Sequence, residues 1–232
     1  NLWGYPARNP YALLHVGTNL VPVNVDAEAR AAFVEDLGRW RSFIAMVGPA
    51  QEVLPLWEAL RVRWGDPYGQ TRVVRPRQLL MACGSPSDAP RHPDLRPATR
   101  EVFDSYFAAA AAMYTEELLE DTLETNPVGY RTYVRSLVER GRAFAVVANG
   151  EVVFKADLGA VSDKVAQIQG VWVRPDHRGR GLSVAGMAGV TDAIVGQGRT
   201  ASLYVNDFNT PAVAAYRRCG YDEVGTFASV LY

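Results

Sequence analysis

The run Val171-Trp172-Val173-Arg174-Pro175-Asp176-His177-Arg178-Gly179-Arg180-Gly181-Leu182-Ser183 decides how the chain is read. Three strand formers, Val171, Trp172 and Val173, lead to Pro175, which pushes Arg174 towards extended geometry and ends the strand. Gly179 and Gly181 loosen the turn, and from Leu182 small and apolar residues run on to Ile194 as a helix. A strand feeding a helix through a glycine turn leaves free backbone N–H groups at the positive end of the helix dipole. The spacing therefore predicts a seat for a phosphate. Arg178 and Arg180 add cationic donors beside it. Two other phosphate motifs are excluded. A P-loop needs Gly-Lys-Ser or Gly-Lys-Thr, and a dinucleotide fingerprint needs a third glycine where Val184 stands.

Working outward, residues 143–148 and 151–156 are apolar runs joined by Asn149-Gly150, which predicts a hairpin with a type I′ turn. A strand over 164–174 follows it into the glycine turn. Upstream, an alanine block at 108–112 favours a long helix over 100–124, and Pro127 starts a second helix ending near Gly141. Downstream come a strand over 201–205, a helix from Thr210-Pro211 to Cys219 ended by Gly220, and two short strands over 221–224 and 227–231. Residues 84–93 have the composition of a linker and suggest two domains, 1–92 and 93–232. The first domain reads as a hairpin over 11–25, a helix from Asp26 to about Leu37 and a strand over 42–47. A helix over 50–62 and one or two strands over 72–83 complete it.

With 232 residues the chain can bury a real core as one large domain or two small ones. A formal net charge of -1 gives no reason to expect a nucleic-acid or membrane partner. No apolar run approaches membrane-spanning length and no signal peptide is visible, so a cytoplasmic protein is expected. Cys83 and Cys219 make no disulfide framework and are expected to be reduced, which fits that compartment. Only Lys155 and Lys164 are lysines among 24 basic residues. His15, His92 and His177 are too scattered for a metal site or a catalytic triad, and no metal is expected.

The region from about Asp94 to Tyr232 resembles the GNAT superfamily of acyl-CoA-dependent N-acyltransferases. Arg178-Gly179-Arg180-Gly181-Leu182-Ser183 after its strand is similar to the family's coenzyme A signature, Arg/Gln-x-x-Gly-x-Gly/Ala. Leu203-Tyr204-Val205-Asn206-Asp207-Phe208-Asn209-Thr210-Pro211-Ala212 resembles the strand and helix start that follow. Tyr216-Arg217-Arg218-Cys219-Gly220-Tyr221 resembles the family's Tyr-x-x-x-Gly-Phe. The order of elements agrees, and the whole chain looks like a bacterial subgroup carrying an extra N-terminal domain of uncharacterised function. The resemblance implies an α/β fold of the α+β type. Its C-terminal domain has a mixed, largely antiparallel central sheet flanked by helices, and its smaller N-terminal α/β domain looks like a degenerate half of the same fold.

What the resemblance implies about the site is specific. Backbone N–H groups of Gly179, Arg180, Gly181, Leu182 and Ser183 hold the pyrophosphate of acetyl-CoA, with Arg178 beside them. Ser183 departs from the usual Gly or Ala but is small and can still donate. The strand Val171, Trp172, Val173 offers backbone groups to the pantetheine arm. Asn209 reaches the same arm, or caps the helix at Thr210, or does both. Tyr216 lies seven residues, about two turns, further on, so both share one helix face. The family's tyrosine protonates the departing thiolate, and a phenol's ordinary pKa near 10 suits that transfer. The plainer alternative is a core aromatic.

The family's usual glutamate on the strand before the turn is here Gln167, which cannot take a proton from an ammonium. Glu117 is the preferred base, with Glu116, Glu120 and Asp157 as other candidates. The run Glu116, Glu117, Glu120, Asp121, Glu124 draws a cationic amine in, or is simply a solvated helix face. Gln167 and Gln169 alternate onto one face with Val171 and line the acceptor groove, or satisfy neighbouring backbone. The expected activity is direct transfer of acetyl to a primary amine, small-molecule or peptide, in a ternary complex. A non-catalytic acyl-CoA sensor is the rival, and a longer or aminoacyl donor a third reading. The amine's identity and the oligomeric state stay open. In the N-terminal domain, Asn24-Val25-Asp26-Ala27-Glu28 stands where a glycine turn would fall, and its carboxylates repel a pyrophosphate.

Overall fold

The computed structural model describes residues 1–118 and 127–232. In chain order its elements begin with β1 (Leu2–Tyr5), β2 (Ala12–Val16), β3 (Asn19–Val23) and α1 (Ala27–Leu37). These are followed by β4 (Ala45–Pro49), α2 (Ala50–Trp64), α3 (Asp66–Gly69), β5 (Val73–Cys83) and β6 (Arg96–Pro97). Next come α4 (Phe103–Leu118), α5 (Pro127–Glu139), β7 (Ala143–Ala148), β8 (Glu151–Val161) and β9 (Val165–Val173). The last four are α6 (Leu182–Val195), β10 (Thr200–Asn206), α7 (Thr210–Arg218) and β11 (Asp222–Leu231).

The chain packs as two compact units. The first holds Asn1–Leu80 with Tyr204–Phe208 and Val224–Tyr232, and the second holds Met81–Leu203 with Asn209–Glu223. This partition by packing differs from the linker-composition division at 92/93, because two C-terminal pieces group with the first unit.

In the first unit the strands run β1-β2-β3-β4-β11-β5. The expected hairpin is present as β2 and β3, paired antiparallel from Leu13↔Val23 to Val16↔Leu20. β4 pairs parallel to β3 and antiparallel to β11. Val53, Leu56 and Leu60, at helical spacing on α2, bury one face of that helix against Leu14, Leu20, Phe33, Met46 and Val230. Asp26 caps α1 by accepting from the Ala29 N–H at 2.9 Å.

Several boundaries differ from expectation. The fourth strand starts at Ala45 rather than Ser42, because the Arg41 guanidinium takes the Phe43 carbonyl that a ladder would need. The two short final strands are one strand, β11. Gly225, between the two expected segments, lies within it, with only ordinary van der Waals contact to Leu80 at 3.6 Å for an added Cβ. β8 runs five residues beyond the expected hairpin arm, to Val161, and β1 and α3 had no clear local signal.

In the second unit the strands run β10-β9-β8-β7-β6, antiparallel except for β9 with β10. Asn149 (φ 52) and Gly150 (φ 78) close the β7–β8 hairpin with both φ values positive, as a type I′ turn requires. Neighbouring residues on β8 point to opposite faces. Phe154 lies under Gly186 of α6, where an added Cβ would sit 2.5 Å from the ring. Lys155 points the other way, to Tyr106 and Met113 of α4. Helices thus cover both faces of a mixed sheet, and Tyr106, Ala109, Leu137, Val152 and Trp172 fill the α4–α5 side. Cys83 and Cys219 are free and buried. Among the described residues no helix is long and apolar enough to cross a membrane.

Candidate functional site

The decisive run folds as strand, corner, glycine turn and helix. At the corner Arg174 grips Asp176 with two parallel bonds, Nε to Oδ1 at 2.8 Å and Nη2 to Oδ2 at 2.9 Å, and His177 Nδ1 lies 2.9 Å from Oδ1. Arg174 first, then His177, holds this exposed carboxylate well below the usual range. Gly179 (φ 74) and Gly181 (φ 79) both lie in left-handed backbone, and an added Cβ would meet nothing within 4 Å at either. Glycine is needed there for conformation rather than for space. Gly181 is the N-cap of α6 and supplies no side-chain cap, so the first-turn N–H groups at Leu182, Ser183 and Val184 have no intrahelical acceptor. The start of α1 is the opposite case, with the Asp26 carboxylate closing it.

The two arginines of the turn have different surroundings. Arg178 donates Nε to the Val173 carbonyl at 2.9 Å and Nη2 to Glu116 at 2.6 Å. Glu116 also accepts from the buried indole of Trp172 at 3.1 Å. That clamp ties the turn and β9 to α4, and commits Glu116, one of the candidate bases. Arg180 is exposed and has no hydrogen-bond or ion-pair partner among the described residues. Glu116→Ala is expected to lower unfolding free energy by about 1–2 kcal/mol, because the Trp172 N–H is left buried and unpaired. The half-exposed Arg178 pair contributes little. Glu116→Gln, which keeps an acceptor, should recover most of the loss in chemical denaturation.

β9 lines the rest of the site. Among the described residues its parallel ladder with β10 covers three pairs, Thr200↔Val165, Ala201↔Ala166 and Ser202↔Gln167. From 168 to 173 that edge of β9 carries no β10 partner, so its backbone groups are open to an added strand-like ligand. A bulge interrupts the other edge. Lys155 faces Trp172 and Asp157 faces Gln169, so Gly170 and Val171 together oppose Ala156. The bulge corrects one expectation, since it puts Trp172, and not Val171, on the face of Gln169. Gln169 donates to the Tyr133 hydroxyl at 2.5 Å, while Gln167 is half-buried.

Asn209 is the N-cap of α7, accepting from the Ala212 N–H at 3.3 Å, so the capping role is observed. Tyr216, two turns on, is 7% exposed, and its hydroxyl has no hydrogen-bond partner among the described residues. A buried, unpaired hydroxyl is rare enough in native proteins to need an explanation. Burial pushes its pKa well up, and the charge of Glu117 and then the Cys219 thiol add to the rise. Tyr130 is raised chiefly by burial, and Glu117, exposed on α4, is among the charges that add to it. The preferred acid and base candidates are therefore close enough to feel one another's charge. Asp157 holds partners on both oxygens, Lys155 and Tyr106. Glu120, Asp121 and Glu124 lie outside the described residues.

Sequence reasoning did not find the Glu116 clamp or the Lys155–Asp157–Tyr106 cluster. A signal for the second was present, two charges at i and i+2 inside an apolar strand, one of them among only two lysines. A cleft of ≈ 430 Å³ opens on the other flank of the turn, lined by His92, Asp94, Val147, His177, Arg180 and Leu182 among others. It holds neither Tyr216 nor Glu117. Among the described residues no group of three His, Cys, Asp or Glu could hold a metal ion.

A helix-flanked mixed sheet with an open strand edge beside an uncapped helix start is an arrangement that can seat a phosphate-bearing, strand-like ligand. The chain belongs to the acetyltransferase (GNAT) family, a family of acyltransferase enzymes whose profile matches residues 98–221. A second profile, a domain of unknown function (DUF4081), matches residues 1–106. A mycothiol acetyltransferase of Mycolicibacterium gilvum is 34% identical over 102 residues, a match covering 38% of this chain and 34% of that protein. The chain thus aligns with about a third of that relative's length. Two solved structures share the fold. An acetyltransferase of the GNAT family from Colwellia psychrerythraea has a TM-score of 0.63 and 14% identity, covering 98% of this chain and 83% of its own. A putative GNAT acetyltransferase from Novosphingobium aromaticivorans has 0.62 and 20%, covering 91% and 82%.

Proposed function

We propose that the chain transfers acetyl from acetyl-CoA to a primary amine by direct attack in a ternary complex. The observation that carries the reading is the buried hydroxyl of Tyr216, without a hydrogen-bond partner among the described residues and within reach of the Glu117 charge. In this reading the N–H groups from Gly179 to Ser183 hold the pyrophosphate, with Arg180, which pairs with no described residue, as the cation beside them. Arg178 acts through its clamp, by shaping the turn. The open edge of β9 from Val171 to Val173 takes the pantetheine arm, and Asn209 adds a side-chain contact from the start of α7. Glu117 takes a proton from the incoming ammonium, directly or through water. The neutral amine then attacks the thioester carbonyl, and Tyr216 donates to the thiolate that leaves. Gln167 and Gln169 line the acceptor side with Tyr133. Residues 93–232 carry this activity, and the two free thiols fit a reducing, cytoplasmic setting.

Coenzyme A release from acetyl-CoA, followed across a panel of small-molecule and peptide amines, tests the proposal. The panel should include the acceptor of mycothiol acetyltransferase. Release with at least one acceptor is expected. Tight acetyl-CoA binding with no release for any acceptor would favour the sensor reading, which Gln167 motivates. Calorimetry should find one acetyl-CoA per chain, because the carboxylate of Asp26 already occupies the α1 start and repels a pyrophosphate. A second equivalent would place another site in residues 1–92.

A further inference from the structure

Lys155 is fully buried, yet its ammonium is closely paired. Nζ donates to Asp157 Oδ2 at 2.6 Å and to the Gly170 carbonyl at 2.8 Å, and it lies 5.3 Å from the centre of the Tyr106 ring. Asp157 takes its second bond from the Tyr106 hydroxyl, which also reaches the Ala156 carbonyl at 3.2 Å. Such a pair is seldom the most stable filling for a core, since apolar residues of the same volume do as well or better. Its position suggests another use. Gly170 sits at φ 57 in the bulge, which turns its carbonyl towards Lys155. A peptide unit is planar, so the N–H of Val171, on the same unit, points the opposite way. That direction is away from β8, where Val171 has no ladder partner, and towards the edge that β10 leaves open.

We infer that Lys155 is a positioning residue that fixes and polarises the Gly170–Val171 peptide, so that the Val171 N–H donates to the thioester oxygen. The inference rests on the proposed acetyl transfer. A cation on the carbonyl of an amide withdraws electron density from its nitrogen and strengthens the N–H as a donor, as linked hydrogen bonds do. Asp157, itself held by the Tyr106 hydroxyl, keeps the ammonium aimed at the Gly170 carbonyl. During attack the thioester carbonyl's π pair moves onto its oxygen, and the Val171 N–H meets that developing charge without having to reorganise. The electrons return when the carbon–sulfur bond breaks, and Lys155 itself exchanges no proton.

The test needs no knowledge of the acceptor. Acetyl-CoA labelled isotopically at the carbonyl carbon is bound to the full chain, and its carbonyl stretch is read by difference infrared spectroscopy. In the unaltered protein the stretch should fall below that of free acetyl-CoA. Lys155→Met leaves Asp157 uncompensated and is liable to unfold, so the main variant is Lys155→Met with Asp157→Leu, an apolar pair of similar volume. It should still bind acetyl-CoA, with the stretch returned towards the free value. Once an acceptor is known, kcat should fall by roughly 10-fold with little change in KM, short of the 10²–10³ lost with a whole donor. A downshift equal in variant and unaltered protein, or no downshift in bound acetyl-CoA, would overturn the inference and leave the proposed function standing. Failure of the unaltered chain to bind acetyl-CoA would remove both.

Discussion

Tyr216→Phe is expected to lower turnover by roughly 10²–10⁴-fold, the range of a positioned general acid, with acetyl-CoA affinity nearly unchanged. The substitution removes one oxygen that hydrogen-bonds no described residue, so no bond to those residues is lost with it. What it removes is a donor for the leaving thiolate. Burial, then Glu117, raises this phenol above its ordinary value. The raised value keeps it protonated, and a thiolate met in the same buried place is likewise more basic than in water. The protonated form is the working one, so a raised value extends the active window upward. The rate should show no decline from this group between about pH 8 and 10, where an ordinary tyrosine begins to ionise. Steady-state kinetics of the variant across that window is the measurement. Unchanged turnover would leave Tyr216 as a core aromatic. The same sign governs stability. Tyr106, Tyr216 and Tyr221 are all raised by burial, so their contribution is complete below the unfolded phenol value and is lost as pH rises through the folded one.

Gly170→Ala should be strongly destabilising, since it combines backbone strain with a clash. Its φ of 57 disfavours any side chain by about 1–2 kcal/mol. The space is also taken, since an added Cβ would lie 2.7 Å from Asp157 Oδ2, 2.9 Å from Lys155 Nζ and 3.2 Å from the Met113 sulfur. Relief requires moving one end of a buried ion pair, and disrupting such a pair costs about 3–5 kcal/mol. A loss of roughly 4 kcal/mol or more corresponds to a fall in Tm of about 10 °C or more for a chain of this size. Thermal unfolding followed by circular dichroism reads it directly, and a Tm within about 2 °C of the unaltered protein would mean that the bulge relaxes cheaply. Gly179→Ala makes a useful contrast. Its φ of 74 is as strained, but nothing lies within 4 Å, so only the conformational part should appear.

Local chemistry made much of this fold legible. Asn149-Gly150, Asp26, Pro127 and the two turn glycines each act within a few residues, and the elements they begin or end are present. The family followed from three short motifs, because a phosphate seat and a helix-borne tyrosine depend on local spacing. What escaped the sequence depends on partners far along the chain. Trp172 meets Glu116 across 56 positions, and Tyr106 meets Asp157 across 51. No period marks such pairs. The bulge at Gly170 was hidden for a related reason, since a glycine inside a strand pattern does not say on its own whether the ladder slips there. Once it slips, alternation counted from Gln167 no longer assigns the face of Val171 or Trp172.

The first unit's sheet has the order β3-β4-β11-β5, so one of its inner strands comes last in the chain. During synthesis β4 and β5 emerge well before it, and the whole of Met81–Leu203 follows before β11 can slot between them. Until then two strand edges wait uncovered, exposed to mispairing and to other chains. This sheet, begun early, is therefore completed late, and a fragment ending at residue 92 or 106 would lack the strand that closes it. Swapping the N-terminal region between relatives would succeed only if residues 222–231 travelled with it.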